Sequence, residues 1–309
     1  MKPISLVIIL LATLSSCSLF KQGGSGTLFG NSKPSAKDSA KIAGVGNKKP
    51  TNFNKILKST DYIFKMKMAE KYYLAKDYNH AQILYDDLYR VMKGSEHFED
   101  IWYKYAYSAY YLKDYINAEN LFKGFVEAFP NSAKEDEMSY MRAYCFYKQS
   151  PKYQLDQTNT TKAMGFMQAF IAQHPNSEKV KEANDIIELC RAKLERKDFE
   201  AAKLYYNLQA TNPAYLKASA LTFNILMNTY PDSQFSDEYK LYLIKSEYDY
   251  AIRSMEEKKK VRLDQVLTDC NDFNDRFPES KLKKQVQDYM NLANNQIKQL
   301  ENEQTKKTG

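Results

Sequence analysis

The chain has 309 residues, 27% charged and 14% aromatic, a composition that excludes a disordered protein and fits an ordered body. Its net charge of +7 is local: residues 1–50 hold seven lysines against Asp38 alone, while the remainder carries 38 basic and 37 acidic groups. A folded part this close to neutral has no basic field to capture phosphate backbones, so nucleic acid is not an expected partner.

Met1-Lys2-Pro3 is a short basic start, and the apolar run from Ile4 to Leu14 is too short for a membrane span of roughly 20 residues. Together they predict a secretory signal peptide over residues 1–16. The run closes on Leu14-Ser15-Ser16-Cys17, which resembles a bacterial lipobox. The resemblance implies a diacylglyceryl thioether on Cys17 and an acylated amino terminus. Several acyl chains, at about 0.8 kcal/mol per buried methylene, anchor stably where one would not. An ordinary cleaved signal with an incidental cysteine is the alternative.

Residues 17–50 read as a lipidated flexible tether. Gly23-Gly24-Ser25-Gly26, Gly30, Pro34, Gly44, Gly46 and Pro50 break every periodic pattern, and the interspersed lysines suit anionic headgroups. A flexible chain of that length has an r.m.s. reach of about 30 Å.

From residue 51 to 303 the chain is punctuated by one phrase written four times: Phe129-Pro130-Asn131-Ser132, His174-Pro175-Asn176-Ser177, Tyr230-Pro231-Asp232-Ser233 and Phe277-Pro278-Glu279-Ser280. An aromatic residue closes one helix, proline forbids its continuation, and the Asn/Asp/Glu-Ser pair starts the next turn or caps the next helix. A stop recurring every 45 to 56 residues predicts stacked helical hairpins. The expected fold is therefore all-α, a solenoid of about five hairpins.

In residues 101–132, Trp102, Ala106, Ala118, Phe122 and Pro130 fall at positions 4, 8, 20, 24 and 32 of a 34-residue frame. That frame is similar to the tetratricopeptide repeat, whose small residues at 8 and 20 let two helices approach closely. The preceding unit echoes it with Ala69, Ala81 and Tyr85, and Asp77 and Asp114 open the turns of these two units. The third unit carries Ala143 and Ala163 around an insertion from Pro151 to Thr161. Glu178 to Lys197 reads as one helix and Asp198 to Ala210 as a second or a continuation. The last unit runs from about Glu238 to Pro278, with an interruption expected near Glu256–Lys260. Lys281 to about Glu303 forms a polar terminal helix, and residues 304–309 a disordered tail.

Positions 5, 9 and 12 of each first helix face the concave side in such a frame. They are Tyr103, Tyr107 and Tyr110 in the second repeat, and Tyr140, Tyr144 and Tyr147 in the third. Six tyrosines at six such positions predict a groove for an extended or helical peptide that brings apolar side chains together with backbone polar groups. Tyrosines in a solenoid also pack between helices, and that reading stays open.

Catalytic chemistry is not expected. His80, His97 and His174 have no metal-ligand spacing, no phosphate-cradling or nucleophile motif occurs, and neither a metal nor a cofactor is implied. Cys145, Cys190 and Cys270 lie in apolar helical contexts and read as packing residues, with one disulfide as the alternative in an oxidising compartment.

Two stretches go beyond architecture. One is Asp136-Glu137-Met138-Ser139-Tyr140-Met141-Arg142-Ala143-Tyr144 before the insertion. The other is Arg191-Ala192-Lys193-Leu194 with Phe199-Glu200-Ala201-Ala202-Lys203-Leu204-Tyr205-Tyr206. With the lipobox and the repeats, the chain resembles the BamD family, the YfiO-like lipoproteins of the outer-membrane β-barrel assembly machinery, over roughly residues 55–290. The resemblance implies a non-catalytic subunit anchored at the outer membrane, its repeats facing the periplasm. It would dock on a BamA-like barrel-forming subunit through its C-terminal repeats and meet unfolded outer-membrane proteins through its N-terminal ones, with no small-molecule substrate.

Two rivals remain. Another envelope tetratricopeptide lipoprotein, an adaptor for cell-wall or division complexes, would be expected to carry a coiled-coil segment, and no sustained heptads precede residue 55. A carbohydrate-capture lipoprotein would need larger insertions than the dozen residues found here.

Overall fold

Asp77 and Asp114 show how the local sequence writes the fold. Each side chain accepts a hydrogen bond from the backbone N–H three residues on, at His80 and Asn117, capping the second helix of its hairpin. The residue before each, Lys76 or Lys113, has a positive φ of 59° or 63° and ends the first helix in the left-handed region. The Lys113 N–H reaches the Tyr110 carbonyl at 2.9 Å and the Asp114 N–H reaches Ala109 at 3.0 Å. Lys76 and Asp77 repeat the pattern on Tyr73 and Tyr72. This double closure satisfies the last carbonyls of one helix within a turn that immediately caps the next.

The computed structural model describes residues 52–308. The expected signal peptide, the tether and Cys17 lie outside the described residues. The helices are α1 (Asn52–Leu57), α2 (Tyr62–Leu74), α3 (Tyr78–Val91), α4 (Phe98–Tyr111), α5 (Tyr115–Ala128), α6 (Glu135–Lys148), α7 (Thr158–Gln173), α8 (Val180–Asn207), α9 (Ala214–Thr229), α10 (Ser236–Ile252), α11 (Glu256–Arg276) and α12 (Lys283–Thr308). Each helix from α2 onward packs on its successor, and no strand occurs among the described residues. The fold is an all-α helical-repeat solenoid of five hairpins, α2–α3 to α10–α11, closed by α12. No described helix is long and apolar enough to cross a membrane.

The aromatic-proline endings share one geometry. Phe129, His174, Tyr230 and Phe277 each cap a helix with φ between −128° and −125° and ψ between 58° and 65°. Those angles lie outside the helical region, as the following proline demands. The serine three residues on returns its N–H to the aromatic carbonyl at 3.1 Å in all four cases. Its hydroxyl accepts from the N–H two residues further on, as Ser132 does from Lys134 at 3.0 Å. The serines therefore build the turn rather than cap the next helix; in three of the four cases that helix has an acidic first turn instead, with Glu135, Asp136 and Glu137 in α6, Glu182 in α8, and Asp237 and Glu238 in α10.

The small residues sit where helices cross: Ala69, Ala81, Ala106, Ala118 and Ala163 are fully buried and Ala143 nearly so. Two boundaries that the sequence left open or misplaced are settled by the helices. Of the two readings left open for Asp198–Ala210, the structure shows the continuation: Glu178–Ala210 is dominated by one helix, α8, with no proline or glycine to interrupt it before Pro213. The expected interruption at Glu256–Lys260 falls three residues earlier, at Arg253–Met255, and Glu256 and Glu257 open α11, where carboxylates favour a helix N-terminus. At the end of the chain α12 runs on to Thr308.

Candidate peptide-binding face

Tyr103, Tyr107 and Tyr110 on α4, and Tyr140, Tyr144 and Tyr147 on α6, repeat at i, i+4, i+7, which places each trio on one helix face. Their rings form a continuous chain. Centroid separations are 4.8 Å for Tyr103–Tyr107 and 6.3 Å for Tyr107–Tyr110. The chain crosses to α6 at Tyr110–Tyr144, 6.2 Å, then continues through Tyr140–Tyr144 and Tyr144–Tyr147 at 5.7 Å each. Tilted and edge contacts, with one stacked pair at Tyr140–Tyr144, suit the aromatic quadrupole at these distances.

The six rings are not equivalent. Tyr107 and Tyr140 are buried, 7% and 2% exposed, and back the face from beneath. Tyr103, Tyr110, Tyr144 and Tyr147 are half-buried and line it. The chain also extends into the first hairpin, where Tyr111 stacks on Tyr78 at 4.5 Å and lies 6.4 Å from Tyr73.

Charged groups invisible to repeat spacing hold the chain in place. Glu137 on α6 accepts from the Tyr103 hydroxyl at 3.2 Å and from the Tyr107 hydroxyl, clamping α4 to α6. Burial, then the Glu137 charge, push the Tyr103 phenol up to about 12. Burial and the Glu137 hydrogen bond raise Tyr107 still further, so both stay protonated and able to donate. The buried Tyr140 hydroxyl has no partner of good hydrogen-bond geometry, and burial, followed by the neighbouring Glu182 carboxylate, raises its pKa.

Three ammonium groups flank the rings: Lys134 lies 4.8 Å from the Tyr103 centroid, Lys179 5.3 Å from Tyr140 and Lys148 5.4 Å from Tyr144. The face combines apolar ring surface, neutral phenol donors and peripheral positive charge. That set can cover apolar side chains and satisfy peptide polar groups.

Cys145, Cys190 and Cys270 are free and fully buried, and burial drives the thiols of Cys145 and Cys270 up to about 12. Buried and held as thiols, they serve as packing residues. His80 pairs with Asp77 at 2.6 Å, and no cluster of potential metal ligands forms among the described residues.

Residues 63–221, just over half of the chain, match the family model for YfiO, described as an outer membrane lipoprotein. No curated protein matches the chain.

Proposed function

The chain belongs to the YfiO family of outer membrane lipoproteins, and from that premise we propose that it is a non-catalytic scaffold of the β-barrel assembly machinery. Lipid on Cys17 holds it at the outer membrane, with the repeats on the periplasmic side. Its tyrosine face takes segments of unfolded outer-membrane proteins, and its C-terminal repeats engage a BamA-like barrel-forming subunit. What supports the reading is the unbroken chain of six tyrosine rings across α4 and α6, four of them only half-buried. Amphipathic rings on a rigid helical support lose little entropy on binding and accept many sequences, as a client-binding surface must.

The test is the affinity of peptides from the C-terminal strands of β-barrel proteins for the parent and for a Tyr103→Ala, Tyr144→Ala variant, after circular dichroism establishes that the variant is folded. Each truncated anchor is expected to cost about 1–2 kcal/mol. Equal affinity in a folded variant would move the client site off this face.

A further inference from the structure

Helix α8 belongs to two cores. Ala183, Ile186 and Cys190 in its first half join the cluster built on α4–α7, whereas Phe199 and Ala202 in its second half join the cluster of α9 and α10. Between Cys190 and Phe199 no α8 residue is buried, so the two cores part there. The loop between α6 and α7 reaches this stretch on one side, where Lys193 donates to Ser150 at 2.6 Å and Lys197 to the Leu155 carbonyl at 2.9 Å, and the turn after α9 with the start of α10 reaches it on another. Arg191 grips the Asp232 carboxylate through both terminal nitrogens, Tyr230 donates to Asp198 at 2.9 Å, and Tyr239 donates to Glu195 at 2.6 Å.

Along this seam runs a cleft. Two cavities of about 590 and 100 Å³ share Ala192, Glu195 and Gln234, and together follow α8 from Asp185 to Phe199. At 1.5 Å per residue that is about 21 Å of open helix face. Its rim is predominantly acidic: Asp185, Glu188, Glu195, Asp232 and Glu238 outnumber Arg191 and Arg196. Both guanidinium groups are already engaged, Arg191 by Asp232 and Arg196 by Glu200 at 2.5 Å. Asp185, Glu188 and Glu238 form no salt bridge among the described residues. Within the acidic rim two large apolar side chains are open to solvent, Leu189 at 56% and Phe235 at 46% exposure. In an array otherwise balanced in charge, this is a local acidic and apolar surface.

We propose that this cleft docks a basic, amphipathic segment of a partner protein. Its lysines or arginines meet Asp185, Glu188 and Glu238, and its apolar side chains cover Leu189 and Phe235. The inference concerns residues outside the tyrosine chain and stands whether or not that face binds clients.

The test uses the chain from residue 18 onward, which retains every residue of the four core clusters, in detergent-free buffer. The probes are fluorescent 15-residue peptides with leucine in helical register and lysine, or glutamate, elsewhere. The lysine peptide is expected to bind at least tenfold more tightly than the glutamate peptide. Glu188→Lys and Leu189→Asp, both at exposed positions, should each weaken it about tenfold, whereas Glu96→Lys with Glu127→Lys, charge reversals before α4 and in α5, should not. Equal binding of the two peptides, or equal losses in the cleft and control variants, would overturn the proposal. So would self-association abolished by Leu189→Asp, which would assign the cleft to a second copy of the chain.

Discussion

Gly124 on α5 lies flat against the indole of Trp102 on α4: a methyl group added at its Cα would stand 2.7 Å from Cζ2 of that ring. The ring has nowhere to go. Its N–H donates to the Leu121 carbonyl at 2.9 Å, and Tyr89, Phe125 and Phe129 surround it at centroid distances of 4.9, 6.2 and 5.9 Å. Glycine in a helix costs about 1 kcal/mol relative to alanine, so its presence here marks a close approach. We expect Gly124→Ala to destabilise by about 1–3 kcal/mol through overpacking, measured by urea unfolding, and Trp102→Phe in the same chain to recover part of the loss.

The two hairpin turns store a smaller, opposite effect. Lys76 and Lys113 occupy the left-handed region that glycine fills without steric cost. Lys76→Gly and Lys113→Gly should each stabilise by up to about 1 kcal/mol, offset in part by the greater freedom of the unfolded chain. A melting temperature that falls in both variants would mean that the lysine side chains contribute more than the backbone strain removes.

These cases show how the molecule was legible. Helix ends, the alanine crossings and the i, i+4, i+7 tyrosines could be read because each depends on residues within one or two turns of one another. At Lys197-Asp198 the sequence leaves a break and a continuation equally open, because a polar surface stretch fits both until the cores on either side of it are known. Glu137 was missed for a related reason. Its partners Tyr103 and Tyr107 lie 34 and 30 residues away in sequence, and local spacing carries no sign of them. Burial of Tyr107 and Tyr140, unlike that of their four neighbours, is set by the packing of α4 on α6 and not by position in the frame.

A buried ionic cluster in the last hairpin predicts a pH response. Lys240 lies 2.7 Å from Asp269 and 2.5 Å from Asp272, and Gln265 donates to Asp269 at 2.8 Å. Beside them Glu247 is raised well above the carboxylate range by burial and by the Asp269 charge, while hydrogen bonds outweigh burial and hold Asp269 low. Between its ordinary pKa and its raised one, Glu247 binds a proton in the folded state that the unfolded chain releases, so it contributes instability that grows as pH rises through that window. Glu247→Gln removes the group. The variant should melt close to the parent at pH 4 and above it at pH 7–8, by roughly 2–4 °C for each kcal/mol recovered. Identical pH profiles would remove Glu247 as the source.

Anchoring is tested at Cys17. Cys17→Ala should leave the chain without acyl groups, free in the periplasm or held by an uncleaved signal peptide. Fractionation after a high-salt wash, with mass spectrometry of the amino terminus, distinguishes these. A cleaved Cys17→Ala chain that still pellets with membranes would refute a lipid anchor.

The last prediction concerns the clamp between α4 and α6. Glu137 receives two phenol donors, and Tyr107 is buried, so Tyr107→Phe removes a buried hydroxyl from a half-buried carboxylate. The expected cost is about 1–3 kcal/mol. Tyr103→Phe should cost less, because the hydroxyl is nearer solvent and Glu137 keeps the Tyr107 donor. In the Glu137→Gln background Tyr107→Phe should become cheaper, since the charge-assisted bond is already gone; a coupling of about 0.5–3 kcal/mol is typical of residues in one network. Because both rings remain, client-peptide affinity should change little in Tyr103→Phe. A coupling near zero in the cycle would mean that ring packing alone holds α4 against α6, and that Glu137 is an onlooker to the face it lies beneath.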